Sequence, residues 1–185
     1  PEKRASKMAE AITPYYTSLF RAKRTSAACR KAALRTLRTG RRVLAPTSQE
    51  IGSDVTGKEV IEILNSLSNG KSPGPDRLPN RLYKTLSAVF APILTKVYNE
   101  AHLTGRLPDS MLEGLISLLY KKGPRDDPRN YRPITLLNVD YKILMRILTA
   151  RMNKAVTQFV SDDQNGFLPN GFIAEITMRL QLIQQ

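Results

Sequence analysis

Leu115-Ile116-Ser117-Leu118-Leu119-Tyr120 and Tyr131-Arg132-Pro133-Ile134-Thr135-Leu136-Leu137 decide the fold class, because they are short apolar runs in a chain whose other apolar residues mostly recur at helical spacing. The first run is too short for a helix and ends in Lys121-Lys122-Gly123; the polar stretch Pro124 to Asn130 leads to the second. Two such strands joined by a turn-rich loop form a hairpin. Pro133 has no N–H to give to a ladder, so its strand belongs at an edge. The expected fold class is α+β, mostly α-helical, with one antiparallel β-hairpin and a further short strand near Gly166.

On the C-terminal side of the hairpin, Asn138 or Asp140 can cap a helix that turns Ile143, Leu144, Ile147, Leu148 and Val156 inward and Lys142, Arg146, Arg151 and Lys154 outward. Asp162 to Pro169 reads as extended or turning, before a final helix from about Phe172. On the N-terminal side, Thr56 followed by Glu59 is a capping box, and Val60, Ile61, Ile63, Leu64 and Leu67 make the buried stripe of a helix that stops at Gly70. Lys71-Ser72-Pro73-Gly74-Pro75-Asp76 then forces a rigid non-helical turn. Leu78 to Thr104 predicts one long helical stretch carrying Leu82, Leu86, Val89, Phe90, Ile93, Leu94, Val97 and Tyr98, kinked at Pro92 and stopped by Gly105. His102 falls in its last turn, where a partial positive charge suits the helix dipole.

Further out, Met8, Ile12, Tyr15, Tyr16, Leu19 and Phe20 mark a helix or helix pair broken or kinked at Pro14. Ser26 can cap a second helix in which Ala28, Ala32, Leu34 and Leu37 alternate with arginines and lysines until Gly40. Arg41 to Asp54 shows little periodicity. The expected organisation is a basic helical arm over 1–46, a linker over 47–55 and a packed α+β body over 56–185.

Charge separates the arm from the body. Of a net +13, ten charges lie within Pro1 to Pro46, where twelve basic residues face only Glu2 and Glu10. A charge run is ordinarily a solvated face, but like charges on one helix repel, and phosphates offset that cost. Arg30, Lys31, Arg35 and Arg38 are therefore candidate nucleic-acid contacts. No apolar run approaches the ~20 residues of a bilayer span, and Pro1 to Glu10 lacks the apolar core of a signal peptide, so an intracellular chain with no membrane partner is expected, cytoplasmic or nuclear. Cys29 is the single cysteine, expected buried or half-buried, and His102 the single histidine, so neither a disulfide framework nor a Cys/His metal site is expected.

Four blocks in fixed order carry a more specific signal: Lys71 to Asp76; Leu118-Leu119-Tyr120-Lys121-Lys122-Gly123; Asn130 to Leu137 running into Asp140-Tyr141-Lys142-Ile143; and Gln164-Asn165-Gly166-Phe167. Together they resemble the opening blocks of non-LTR, LINE-type retrotransposon reverse transcriptases over most of Thr56 to Gln185. The resemblance implies the fingers part of a reverse transcriptase fold, with the palm missing from this chain. It implies an RNA template, a DNA primer, a deoxynucleoside triphosphate and the palm and thumb of the same polymerase as partners. Arg132, Lys121 and Lys122 match the family's arginine and lysine that reach the incoming nucleotide's phosphates, a task suited to cations projecting from one hairpin. Lys71, Pro73, Gly74 and Asp76 match a segment that approaches the template, although composition alone shows a rigid turn and leaves Asp76 equally a cap of the next helix. Gln164, Gly166 and Phe167 match a block near template and nucleotide, where a buried turn is the competing reading. The family often has an arginine shortly after the Gly-Phe pair, whereas this chain reads Pro169-Asn170-Gly171-Phe172.

No catalytic residue and no protein metal site is expected here. Polymerases of this kind hold divalent metals on palm carboxylates, which the resemblance places beyond residues matching Gln185; Mg2+ is implied for the full-length enzyme. Asp126-Asp127 and Asp162-Asp163 are adjacent pairs in loops and read as turn or cap residues. The chain is therefore expected to bind template–primer and nucleotide without polymerising alone. Two other readings are a non-catalytic nucleic-acid-binding module derived from a reverse transcriptase and a helical protein-interaction domain with incidental charge; only the last predicts no salt-sensitive affinity for nucleic acid.

Overall fold

The computed structural model describes residues 2–21, 25–38 and 43–160, together with Ala174 and Met178. Its elements in chain order are α1 (Glu2–Phe20), α2 (Ala27–Arg38), α3 (Ala45–Ile51), α4 (Gly57–Ser66), α5 (Asn80–Thr85), α6 (Ser87–Thr104), α7 (Asp109–Leu112), β1 (Gly114–Tyr120), a 3-10 turn (Pro128–Asn130), β2 (Tyr131–Leu137) and α8 (Val139–Phe159). The described chain is mostly helical, and β1 pairs with β2 in an antiparallel two-stranded sheet. The final helix and the strand near Gly166 lie outside the described residues, save for helical backbone at Ala174 and Met178. The chain divides into two compact units: one takes α1, α2 and the outer hairpin, residues 116–135, and the other takes the remaining elements.

In the first unit, α1 runs through Pro14 as a single helix instead of breaking there. Proline removes one backbone hydrogen bond and crowds the preceding turn, at a cost of about 3 kcal/mol. A cluster beyond it holds the last turn: Tyr16 lies 5.1 Å edge-on from Tyr15 and 5.8 Å in a stack with Phe20. The start of α2 follows the sequence, with Ser26 Oγ accepting the Cys29 N–H at 3.1 Å.

In the second unit, α4 packs against α6 and α8 around Val60, Leu64, Ala91, Leu94, Tyr98, Ile143 and Ile147, and α5 and α7 close the core with Tyr83 and Met111. The capping box is formed as expected: Thr56 Oγ1 accepts the Glu59 N–H at 3.3 Å, and the Glu59 carboxylate accepts the Thr56 N–H at 2.9 Å. Gly105, with φ +67, ends α6 in the left-handed region.

Several expectations fail for tertiary reasons. The stretch from Leu78 to Thr104 is two helices, broken at Leu86. Seven residues apart in one continuous helix, Tyr83 and Phe90 would be separated by roughly 10.5 Å along the axis. The break brings their rings to 4.5 Å. It also shifts the buried face, so that Tyr83 is buried while Leu86, Val89 and Ile93 are exposed. Ile61 and Leu148, assigned to buried stripes, are exposed as well. Residues assigned to the linker form α3, which lies along α8. Side chains of α8 hold it there: Gln158 Oε1 accepts the Leu44 N–H at 2.9 Å, Gln158 Nε2 donates to Thr47 at 3.0 Å, and Lys154 pairs with Glu50 at 2.5 Å.

The largest departure is Arg151, expected to point outward but only 6% exposed. Its Nε and Nη2 donate to the two carboxylate oxygens of Glu59 at 2.7 and 2.8 Å, and the remaining donors reach the carbonyls of Ile51, Ser53 and Asp54 at 3.1, 2.5 and 2.8 Å. The Arg151 hydrogen bonds hold the Glu59 carboxyl down at about 2, with Thr56 adding to the effect against the opposing pull of burial. A carboxylate depressed in this way contributes stability that is present above its ordinary value of 4.5 and lost as the pH falls toward 2. Glu59→Gln is therefore expected to remove on the order of 2 kcal/mol at pH 7 and to flatten the loss of stability between pH 5 and 2. Arg151→Met, which strands Glu59 and three carbonyls, is expected to cost about 3–5 kcal/mol. Urea unfolding of the whole chain across that pH range measures both; equal acid sensitivity of Glu59→Gln and the parent would contradict the assignment.

Candidate nucleotide and nucleic-acid interface

The hairpin loop is built from side-chain bonds to its own backbone. The Tyr120 hydroxyl donates to the Gly123 carbonyl at 2.5 Å, the Tyr131 hydroxyl to the Arg125 carbonyl at 2.8 Å, and the Asn130 amide to the Pro124 carbonyl at 2.8 Å. The Arg125 guanidinium lies 4.8 Å above the Tyr120 ring. Asp127 accepts the Arg129 N–H at 2.9 Å and pairs with its guanidinium at 2.8 Å; those bonds hold its carboxyl below the ordinary carboxylate range. Asp127 is thus the cap expected of it. The Lys121 N–H donates to the Asn130 carbonyl at 2.8 Å, one step beyond the end of β1.

Tyr120 and Tyr131 meet edge to face across the strands, with ring centroids 5.6 Å apart, and therefore share one face. Strand alternation then turns Leu119 and Arg132, and Lys121 just past the strand end, to the opposite face. Lys121, Lys122 and Arg132 are exposed, and their side chains make no hydrogen bond or ion pair among the described residues. On α2, Arg30, Lys31 and Arg35 are likewise exposed, and Arg38 closes the helix. Ala28, Ala32 and Leu34 of the α2 apolar stripe are exposed, Leu34 by 60%. Cys29, expected to be at least half-buried, is exposed for the same reason.

In the second unit, the Pro73-Gly74-Pro75-Asp76 turn is held by Asn138. A Cβ on Gly74 would lie 2.5 Å from the Asn138 nitrogen and 2.6 Å from the Leu137 carbonyl carbon, so only glycine fits. Asn138 is buried; its Oδ1 accepts the Asp76 N–H at 3.2 Å and its Nδ2 donates to the Ser110 carbonyl at 2.8 Å. Lys71 and Asp76 are exposed, and Pro73 is half-buried. Asp76 does not cap α5, whose N-cap is Pro79; its Oδ1 accepts the Leu78 N–H at 3.0 Å within the turn. Arg77 donates its N–H to the Gly74 carbonyl at 3.0 Å and sits at φ +60, in the left-handed region that an arginine rarely occupies. Nearby, half-buried Asp140 has its carboxyl raised by burial and by Asp76, while its carbonyl accepts the Tyr98 hydroxyl at 2.7 Å.

The proposed contacts thus fall in two units: hairpin and arm cations in the first, and the turn in the second. Gln164, Gly166 and Phe167, like Asp162-Asp163, lie outside the described residues.

Comparison with known proteins gives these features a context. Over 121 residues the chain is 30% identical to the transposon TX1 uncharacterized 149 kDa protein of Xenopus laevis, covering 65% of this chain and 9% of that protein. Over 126 residues it is 31% identical to the probable RNA-directed DNA polymerase from transposon BS of Drosophila melanogaster, covering 66% and 14%. Over 95 residues it is 34% identical to the probable RNA-directed DNA polymerase from transposon X-element of the same species, covering 51% and 10%. The chain is similar to non-LTR retrotransposon RNA-directed DNA polymerases. The chain spans about a tenth of the length of those relatives. No family model matches it.

Sequence reasoning missed two residues. Asn138 looked like an ordinary N-cap, yet its side chain makes no cap bond to α8 because it is committed to Asp76 and Ser110. Arg77 carried no signal at all, since arginine has no turn preference; the backbone bond to Gly74 imposes its conformation. Opposite effects are expected from neighbouring substitutions. Gly74→Ala should destabilise by about 1–3 kcal/mol through overpacking. Arg77→Gly should stabilise by up to ~1 kcal/mol, once relief of the left-handed strain is set against glycine's greater freedom when unfolded. Urea midpoints measure both, and a stabilising Gly74→Ala would contradict the packing.

Proposed function

We propose that this chain is the fingers part of an RNA-directed DNA polymerase, where it holds the incoming deoxynucleoside triphosphate and the template–primer. The observation that carries the proposal is the set of exposed cations Lys121, Lys122 and Arg132, unpaired among the described residues, on a hairpin stiffened by its own tyrosines. Phosphoryl transfer depends mainly on positioning a triphosphate and neutralising charge as it develops. A guanidinium held at a strand position can bind two phosphate oxygens at once, and the two lysines add point charges beside it. The arm cations Arg30, Lys31, Arg35 and Arg38 contact the nucleic-acid backbone, where repulsion along α2 is offset by phosphates. Lys71, Pro73, Gly74 and Asp76 form a rigid edge against the template, kept in place by Asn138.

The similarity to RNA-directed DNA polymerases from transposons supports an RNA template and a DNA primer as ligands. The palm and thumb of the same polymerase are the partners that supply the chemistry. Mg2+ would serve that chemistry, but among the described residues no three Asp, Glu, His or Cys side chains converge to hold a metal, so no step is assigned to a metal on this chain. Among the described residues, no helix is long and apolar enough to cross a membrane.

Binding of the whole chain to a labelled RNA template–DNA primer, followed as salt is raised, tests the proposal. The parent should lose affinity steeply, and the quadruple alanine variant at Arg30, Lys31, Arg35 and Arg38 should flatten the log–log slope by about 3. Deoxynucleoside triphosphate should compete with a fluorescent nucleotide on the parent and roughly tenfold less well on Arg132→Ala. Salt-insensitive binding, or equal nucleotide competition in both proteins, would refute it.

A further inference from the structure

The cavity that neither the hairpin nor the turn explains runs along α8 in the second unit. It is an open groove of about 580 Å³ lined by Ile63, Leu137, Tyr141, Lys142, Met145, Arg146, Thr149, Ala150 and Asn153. The volume is within the range of about 300–1,000 Å³ typical of ligand sites. Its floor is apolar: Ile63, Tyr141 and Met145 pack against the core from above and remain partly exposed. Lys142 and Arg146, one helical turn apart, place two cations along one side, and neither side chain is paired among the described residues. Among the described residues, no carboxylate lines the groove. Thr149 is occupied, donating to the Met145 carbonyl at 2.7 Å, whereas the Asn153 amide is exposed and has no partner among the described residues.

We infer that this groove binds a segment of single-stranded nucleic acid, with Lys142 and Arg146 on adjacent phosphates and a base against the Tyr141 ring. Charge complementarity selects the occupant: a described lining with two cations and no anion repels a basic partner and favours a polyanion. The tyrosine favours a nucleic acid over an acidic peptide, because every base offers a face to an aromatic ring whereas a carboxylate side chain offers none. The groove is an additional surface to those in the proposed function, with which it shares only the premise that the chain binds nucleic acid.

The test uses a labelled oligouridylate and the whole chain, comparing the parent, the Lys142→Ala/Arg146→Ala double variant, Tyr141→Leu and the arm quadruple variant, each first shown to unfold at the parent's urea midpoint. The double variant should bind roughly tenfold more weakly, with the log–log salt slope reduced by about 1.4, the value for two single-strand phosphates. Tyr141→Leu should weaken binding at least fivefold with the slope unchanged, since stacking releases no counterions. Oligomers carrying 4-thiouridine should crosslink to Tyr141 or Met145. Parent-like affinity and slope in both groove variants would overturn the inference, and if the arm variant still loses affinity the proposed function stands alone. Absence of oligouridylate binding by the parent would overturn the inference alone, because the proposed function is read on the template–primer and the nucleotide. Oligoglutamate competing as well as oligouridylate, with no effect of Tyr141→Leu, would overturn the inference in favour of an acidic peptide.

Discussion

One guanidinium sets the geometry of the larger unit. Arg151 is carried by α8, but all five of its hydrogen bonds go to the segment that ends α3 and begins α4. A buried arginine is stable only when its donors are satisfied and its charge is met, and Glu59 with three carbonyls meets both conditions. Glu59 in turn belongs to the capping box of α4, so the start of that helix and the middle of α8 are fixed to each other by one carboxylate. The apolar packing of Val60 and Leu64 against Ile143 and Ile147 follows in register.

That register matters because the start of α8 holds the candidate template edge. Asn138 stands at the N-terminus of the helix that Arg151 anchors, and its side chain bonds the backbone of Asp76 on one side and of Ser110 on the other. Gly74 is pressed against the same residue without room for a Cβ. The turn is therefore a rigid surface whose position depends on α8, and the strained backbone of Arg77 beside it is tolerated because the surrounding bonds over-determine it.

The hairpin reaches a similar end by local means. Its tyrosines and Asn130 satisfy the loop's carbonyls, and Asp127 neutralises Arg129, so these polar groups are committed inward. Among the described residues, the Lys121, Lys122 and Arg132 side chains have no such commitment. Within a chain of net charge +13, the separation between cations that are used structurally, such as Arg151 and Lys154, and those left exposed is what makes the hairpin a candidate binding surface and not merely a basic one.

Features whose partners lie within one turn or one hairpin were legible in the sequence. The Thr56–Glu59 box, the Ser26 cap, the stop at Gly105, both strands and the Asp127 cap depend on side chains bonding backbone a few residues away, and residue type and spacing determine such bonds. So did the order of the blocks that pointed to the polymerase family. Only the tertiary structure decided the inward position of Arg151, the docking of α3, the break at Leu86 and the commitment of Asn138 to the turn. Each depends on a partner distant in the chain, for Arg151 and Glu59 a separation of 92 residues, and helical periodicity records which residues share a face without recording what that face meets.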